Sequence, residues 1–89
     1  MRAVLTVIGH DKVGIIYRVS ELLASCNVNI ADITQTILQD YFTMIMIVET
    51  DACNCSFKEL QEKLDALGTT LEMSIRLQHE DIFNSMHRI

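Results

Sequence analysis

Proline is absent from this chain and glycine occurs only three times, so few residues interrupt regular secondary structure. No linker or low-complexity stretch divides the 89 residues, and their number predicts one domain whose core is just large enough to fold alone. The three cysteines are too few, and odd in number, for a disulfide framework. Reduced thiols are typical of a cytoplasmic protein, and we expect that location.

Positive charge is also scarce. Seven Lys and Arg residues are scattered among twelve Asp and Glu residues, which gives a net charge of −5. Binding to nucleic acid or to an anionic membrane surface depends on clustered positive charge, so we expect neither partner. The apolar stretch before Gly9 is too short for the core of a signal peptide or for a membrane span.

The sequence shows no acid/base pair and no nucleophile beside a base, so we expect no enzyme and no cofactor. His79 and His87 flank an acidic pair, but they lie eight positions apart, which one helix face holds only loosely. Cys53 and Cys55 have no second cysteine pair to complete a metal site. We therefore expect no bound metal. A metal-dependent enzyme that uses His79, Glu80 and His87 is the least favoured alternative.

Apolar residues, by contrast, make up 49% of the chain. A small domain has a high surface-to-volume ratio, so a monomer cannot bury that much apolar surface. We therefore expect two copies of the chain to associate into a symmetric homodimer, which buries the remaining apolar surface.

Hydrophobic periodicity divides the chain into six elements in the order β-α-β-β-α-β. Apolar residues on both faces indicate central strands, a mixed pattern indicates an edge strand, and spacings of three and four residues indicate helices. A capping box at Ser56 and Glu59 begins the second helix, and Gly68 is expected to end it. The predicted elements are a central strand at 2–8, a helix at 15–26, an edge strand at 28–38, a central strand at 41–50, a helix at 57–67 and a strand at 70–79.

Right-handed crossovers turn this order into a ferredoxin-like α+β sandwich, in which two helices cover one face of a four-stranded antiparallel sheet. The domain is expected to span residues 1–79. Its second sheet face carries Val4 and Ile8 and is too apolar to face water. Residues 80–89 form a tail with a helical spacing of apolar side chains, which predicts a short helix that covers this face or that of a partner. The apolar tail residues are Ile82, Phe83, Met86 and Ile89.

The turn between the first strand and the first helix predicts a binding site. Gly14 has no Cβ, so a ligand can approach its backbone, and the first turn of the helix presents unpaired N–H groups. Asp11 can cap this helix or contact a ligand, and Gly14 can instead serve close packing. Asn29, at the start of the second strand, offers a side-chain donor and acceptor, or bonds its own loop.

The segments DKVGIIYRVS at 11–20 and NVNI at 27–30, on a βαββαβ chain of this size, resemble an ACT domain. The tail QHEDIFNSMHRI resembles that of small stand-alone ACT-domain proteins of unassigned function. The resemblance implies a regulatory module that dimerises and binds an amino acid or related metabolite. The ligand would lie where the first strand–helix loop of one subunit meets the second strand of its neighbour. The implied contacts are Asp11, Lys12, Val13, Gly14, Ile15, Asn29 and Ile30.

Two positions depart from the family pattern. Val13 stands where many members have a proline before the glycine, and Asp11 stands where serine-binding members have a neutral amide. A carboxylate at Asp11 favours an α-ammonium group and repels a nearby ligand carboxylate. The leading hypothesis is a homodimeric amino-acid sensor that reports to a partner protein. The alternative is an interaction module that binds another protein without a ligand.

Overall fold

A computed structural model describes residues 2–10 and 13–82, apart from the side chain of Leu38. The antiparallel sheet has the strand order β2-β3-β1-β4. The predicted ferredoxin-like α+β fold is therefore confirmed, with β1 and β3 at the centre and β2 at an edge. The elements are β1 (Arg2–His10), α1 (Ile15–Ser25), β2 (Asn29–Leu38), β3 (Tyr41–Glu49), α2 (Phe57–Leu71) and β4 (Ser74–His79).

The core lies between the two helices and one face of the sheet. Leu23 of α1 and Leu60 of α2 are fully buried there, and Cys26 packs among them as a small apolar residue. The central strands contribute alternate residues, because successive side chains point to opposite faces. These fully buried residues are Ala3, Leu5, Val7, Met44, Met46 and Val48.

The opposite sheet face, which we call the open face, carries the remaining apolar residues of the central strands. Val4 pairs with Ile47 there, and Ile8 lies two pleats further along β1. Val4 is 2% exposed, whereas Ile8 is 44% exposed. Residues 80–82 continue from β4 as the start of a helix, and Glu80 forms a 3.5 Å ion pair with Arg2 beside Val4. The rest of the predicted tail helix, residues 83–89, lies outside the described residues.

The second helix ends later than the sequence predicts. α2 continues through Gly68 to Leu71, and its cap at Glu72 adopts a left-handed conformation with a φ of 57°. Gly68 is buried against β4, where an added Cβ would lie 2.8 Å from the carbonyl oxygen of Met73 and 3.3 Å from Cγ1 of Ile75. Close approach of helix and strand, and not the helix end, therefore requires this glycine, and β4 is correspondingly shorter than predicted.

The start of α2 agrees with the prediction. The side chain of Ser56 accepts a hydrogen bond from the Glu59 backbone at 3.1 Å, and Glu59 completes the capping box. Neither α1 nor α2, the two helices within the described part of the chain, is long and apolar enough to cross a membrane.

Candidate ligand-binding site

The N-terminus of α1 presents an exposed glycine turn. Gly14 occupies the N-cap with a φ of 85°, a left-handed conformation that glycine adopts most easily, and its carbonyl accepts the first helical hydrogen bond, from Arg18 at 2.9 Å. Gly14 is thus the N-cap residue. Asp11 and Lys12 themselves lie outside the described residues.

The space beside Gly14 is open. Within the described ranges, no atom lies within 4 Å of the position that a Cβ would occupy there, so close packing does not explain the glycine. Val13 is fully exposed, whereas the side chain of Ile15 is buried in the core and leaves only its backbone at the turn. Since the first N–H groups of a helix have no internal partner, this turn can receive an acceptor group from a ligand.

A β-bulge determines where Asn29 points. The hairpin register that pairs Asp32 with Ile47 would place Asn29 opposite Thr50, but one residue is inserted between Ile30 and Asp32. This shift pairs Asn29 with Glu49 instead and turns its side chain onto the open face. Ile30 is turned to the helix side, where it packs against the core.

Asn29 has a specific side-chain partner on the open face. Its Nδ2 atom donates a hydrogen bond to Oε1 of Glu49 at 2.7 Å, which orients the carboxamide. Sequence reasoning missed Glu49, because an uninterrupted hairpin register would not bring it opposite Asn29. The pair places a carboxylate within reach of a cationic group that approaches this end of β2.

One chain does not bring the two parts of the predicted site together. Gly14 follows the end of β1 at His10, whereas Asn29 and Glu49 lie beside Arg2, the first residue of β1. β1 is nine residues long, so its two ends lie about 26 Å apart in an extended strand. A ligand that contacts both parts must therefore lie between two chains.

A helix packs along one edge strand of the sheet but not along the other. α2 packs along β4, where Gln61 donates a 2.9 Å hydrogen bond to the carbonyl of Leu77. No helix in the described part of the chain packs comparably along β2. Ile33 and Ile37, on the helix side of β2, are 42% and 59% exposed. β2 is therefore the edge that remains available to a partner strand.

The histidine and thiol groups do not form a metal centre in the described residues, where no group of three or more His, Cys, Asp or Glu side chains is placed to hold an ion. The ring of His79 stacks on that of Phe57, with centroids 4.1 Å apart. His87 lies outside the described residues.

A ferredoxin-like sandwich with an open glycine turn and an uncovered edge strand defines a small α+β domain of the ferredoxin-like class. The sequence profile of the ACT domain matches residues 2–78, and the chain belongs to the ACT-domain family.

Similar proteins match most or all of the chain. A UPF0237 protein of Clostridium acetobutylicum is 52% identical over 89 residues, which cover all of both chains. The structure of an ACT domain protein from Streptococcus pneumoniae has a TM-score of 0.81 and 42% identity, and the match covers 93% of each chain. A candidate glycine cleavage system transcriptional repressor has a TM-score of 0.76 and 26% identity over 86% of this chain and 45% of its own.

Proposed function

We propose that the protein is a homodimeric regulatory module that binds an amino acid between its subunits and reports the level of that amino acid to a partner protein. The main support for this proposal is that the glycine turn and Asn29 lie at opposite ends of the sheet within one chain. Each half of the site carries groups suited to a ligand, yet only a second chain can bring the halves together.

The uncovered edge of β2 offers a way to join them. If two β2 strands pair antiparallel about a two-fold axis at Thr34, each Thr34 lies opposite its own copy and paired side chains share a sheet face, as the symmetry requires. Because one extra residue is inserted between Ile30 and Asp32, Asn29 then lies opposite the partner's Leu38, at the end of the sheet where the partner's glycine turn begins. Ile33 and Ile37 lose their exposure to water in this arrangement, which stabilises the dimer.

The chemistry of the two halves is complementary to a zwitterion. The N-terminus of α1 carries unpaired N–H groups and a partial positive charge, which favour a carboxylate. Asn29 and Glu49 offer a polar and an anionic oxygen, which favour an ammonium group. The name of one structural neighbour, which refers to the glycine cleavage system, agrees with an amino-acid ligand.

A calorimetric and thermal-shift screen of the natural amino acids tests the proposal. We expect binding in the micromolar to millimolar range, about −8 to −4 kcal/mol, as suits a metabolite sensor. Asn29→Ala should abolish the response, whereas Lys58→Ala, an exposed change on α2, should leave it intact. A flat response from folded protein across the whole panel would contradict the proposal. Co-purification of a stable protein partner that Asn29→Ala does not affect would then favour the interaction module.

A further inference from the structure

Cys26 and the pair Cys53 and Cys55, which are distant from it in sequence, converge where α1 leads into β2. Cys26, the C-cap of α1, is 1% exposed, whereas Cys53 and Cys55 are half-buried in the loop between β3 and α2. The Sγ atoms of Cys53 and Cys55 are 3.7 Å apart. The proposed ligand site uses none of these thiols.

A small cavity gives access to the Cys53–Cys55 pair. Its volume is about 100 Å³, and its lining includes Thr50, Phe57 and Leu60 besides the two cysteines. One water molecule takes up about 30 Å³ in the liquid, so the cavity admits a molecule of the size of hydrogen peroxide. A peptide thiol such as glutathione is much too large to enter it.

The backbone also leaves the pair free to react. Residues 53–55 belong to neither a helix nor a strand, so closing the sulfur–sulfur distance from 3.7 Å to the ~2.05 Å of a disulfide breaks no regular hydrogen-bond ladder. Cys26, in contrast, is enclosed by the core. We propose that Cys53 and Cys55 form a reversible redox modification site, at which hydrogen peroxide converts the two thiols into an intramolecular disulfide.

The two cysteines take different parts in this reaction. Desolvation of the thiol, together with its hydrogen bond to Cys53, raises the pKa of Cys55 to about 11, which favours Cys53 as the first thiol to attack. The Cys53 thiolate attacks one peroxide oxygen and breaks the O–O bond, which leaves a sulfenic acid and a hydroxide that takes up the proton Cys53 released. The Cys55 thiol then condenses with the sulfenic acid, forming the S–S bond and releasing water. One peroxide is thereby reduced to two waters, while two thiols are oxidised.

The disulfide would lie in a loop that is hydrogen-bonded to the end of α1, just before β2. The backbone N–H of Asn54 donates to the carbonyl of Cys26 at 3.0 Å, and its side chain donates to the carbonyl of Ser25 at 3.0 Å. Asn27 returns a 2.9 Å hydrogen bond to the carbonyl of Ala52. Since Asn54 lies between the two cysteines, their oxidation acts directly on the contacts that hold the end of α1, which leads into β2.

Thiol counting on the intact, folded chain tests this site without any ligand, so its result is independent of the proposed function. The reduced protein should show three alkylatable thiols after denaturation, and the peroxide-treated protein should show one, with dithiothreitol restoring three. Peptide mapping should place the link between Cys53 and Cys55. Retention of all three thiols, or accumulation of sulfinic acid on one cysteine, would overturn the proposal.

Matched variants identify the pair. After peroxide treatment, Cys26→Ala should retain no alkylatable thiol, because both remaining cysteines are linked. Cys53→Ser and Cys55→Ser should each form no internal disulfide, and circular dichroism checks that they remain folded. If Cys53→Ser still forms a disulfide, Cys26 and Cys55 are the reactive pair and the assignment to Cys53 and Cys55 is wrong.

Discussion

The carboxamide of Asn29 donates a 2.7 Å hydrogen bond to the carboxylate of Glu49 across the first pair of the β2–β3 ladder. Both residues are at an end of the sheet, and a one-residue bulge brings them opposite each other. The contact gives Asn29 a fixed orientation, which would lower the cost of ordering the proposed site when a ligand binds.

Replacing Glu49 should weaken the amino-acid binding that we propose. A hydrogen bond to a charged group contributes about 1.5–3 kcal/mol, so we expect Glu49→Ala to lower the affinity at least tenfold, as measured by calorimetry. Glu80→Ala, which removes the exposed carboxylate that pairs with Arg2, is the matched control and should bind normally. Equal affinity of wild type and Glu49→Ala would show that this carboxylate has no part in binding.

A charge on the uncovered edge of β2 should prevent dimer formation. Ile33→Lys places an ammonium group in the middle of the proposed strand pairing, where burying it is costly. Light scattering at micromolar concentration should give a dimer mass for the wild type and a monomer mass for Ile33→Lys. Ile82→Lys changes an equally exposed isoleucine away from β2 and should leave the dimer intact. A monomeric wild type would rule out the edge-paired dimer.

Gly68→Ala should destabilise the protein although alanine is the better helix former. The added Cβ would lie 2.8 Å from a backbone oxygen, so helix and strand must move apart. We expect a net loss of about 1–3 kcal/mol in the free energy of unfolding, because overpacking outweighs the ~1 kcal/mol gained in helix propensity. Urea denaturation measures the free energy of unfolding, and Thr70→Ala, a change at an exposed position of α2, is the control. A midpoint that rises for Gly68→Ala would mean that the close contact relaxes at no cost.

Removing residues 83–89 should uncover the open face. Val4 is 2% exposed although it lies on that face, and the ion pair between Arg2 and Glu80 brings the start of the tail next to it. We therefore expect the tail to cover this end of the face, and a chain that ends at Ile82 to bind an apolar dye more strongly than the full chain does. Val4→Thr in the shortened chain should reverse part of the increase. Unchanged dye binding after truncation would show that the tail does not cover Val4.

Much of the fold follows from the sequence. Apolar residues on both faces of β1 and β3 predict central strands, because flanking strands shield part of both sets of side chains from water. Ser56 and Glu59 determine the start of α2 through local hydrogen bonds that depend on their spacing alone. The exposed turn at Gly14 was predicted in the same way, since the residue types required there are local.

The features that position the candidate sites are decided by the tertiary structure. The bulge before Asp32 turns Asn29 towards Glu49, and no local pattern distinguishes it from an uninterrupted strand. Gly68 looks like a helix end in the sequence, but its buried contact with β4 arises only when the helix docks on the sheet. In the sequence, Cys53 and Cys55 are interpreted as isolated loop thiols. Only the folded chain brings Cys26 beside them and forms the cavity that they line. Local hydrogen bonds and hydrophobic periodicity depend on residues that are close in sequence, so the sequence predicts them. Register shifts and close contacts depend on segments that meet only in the folded chain.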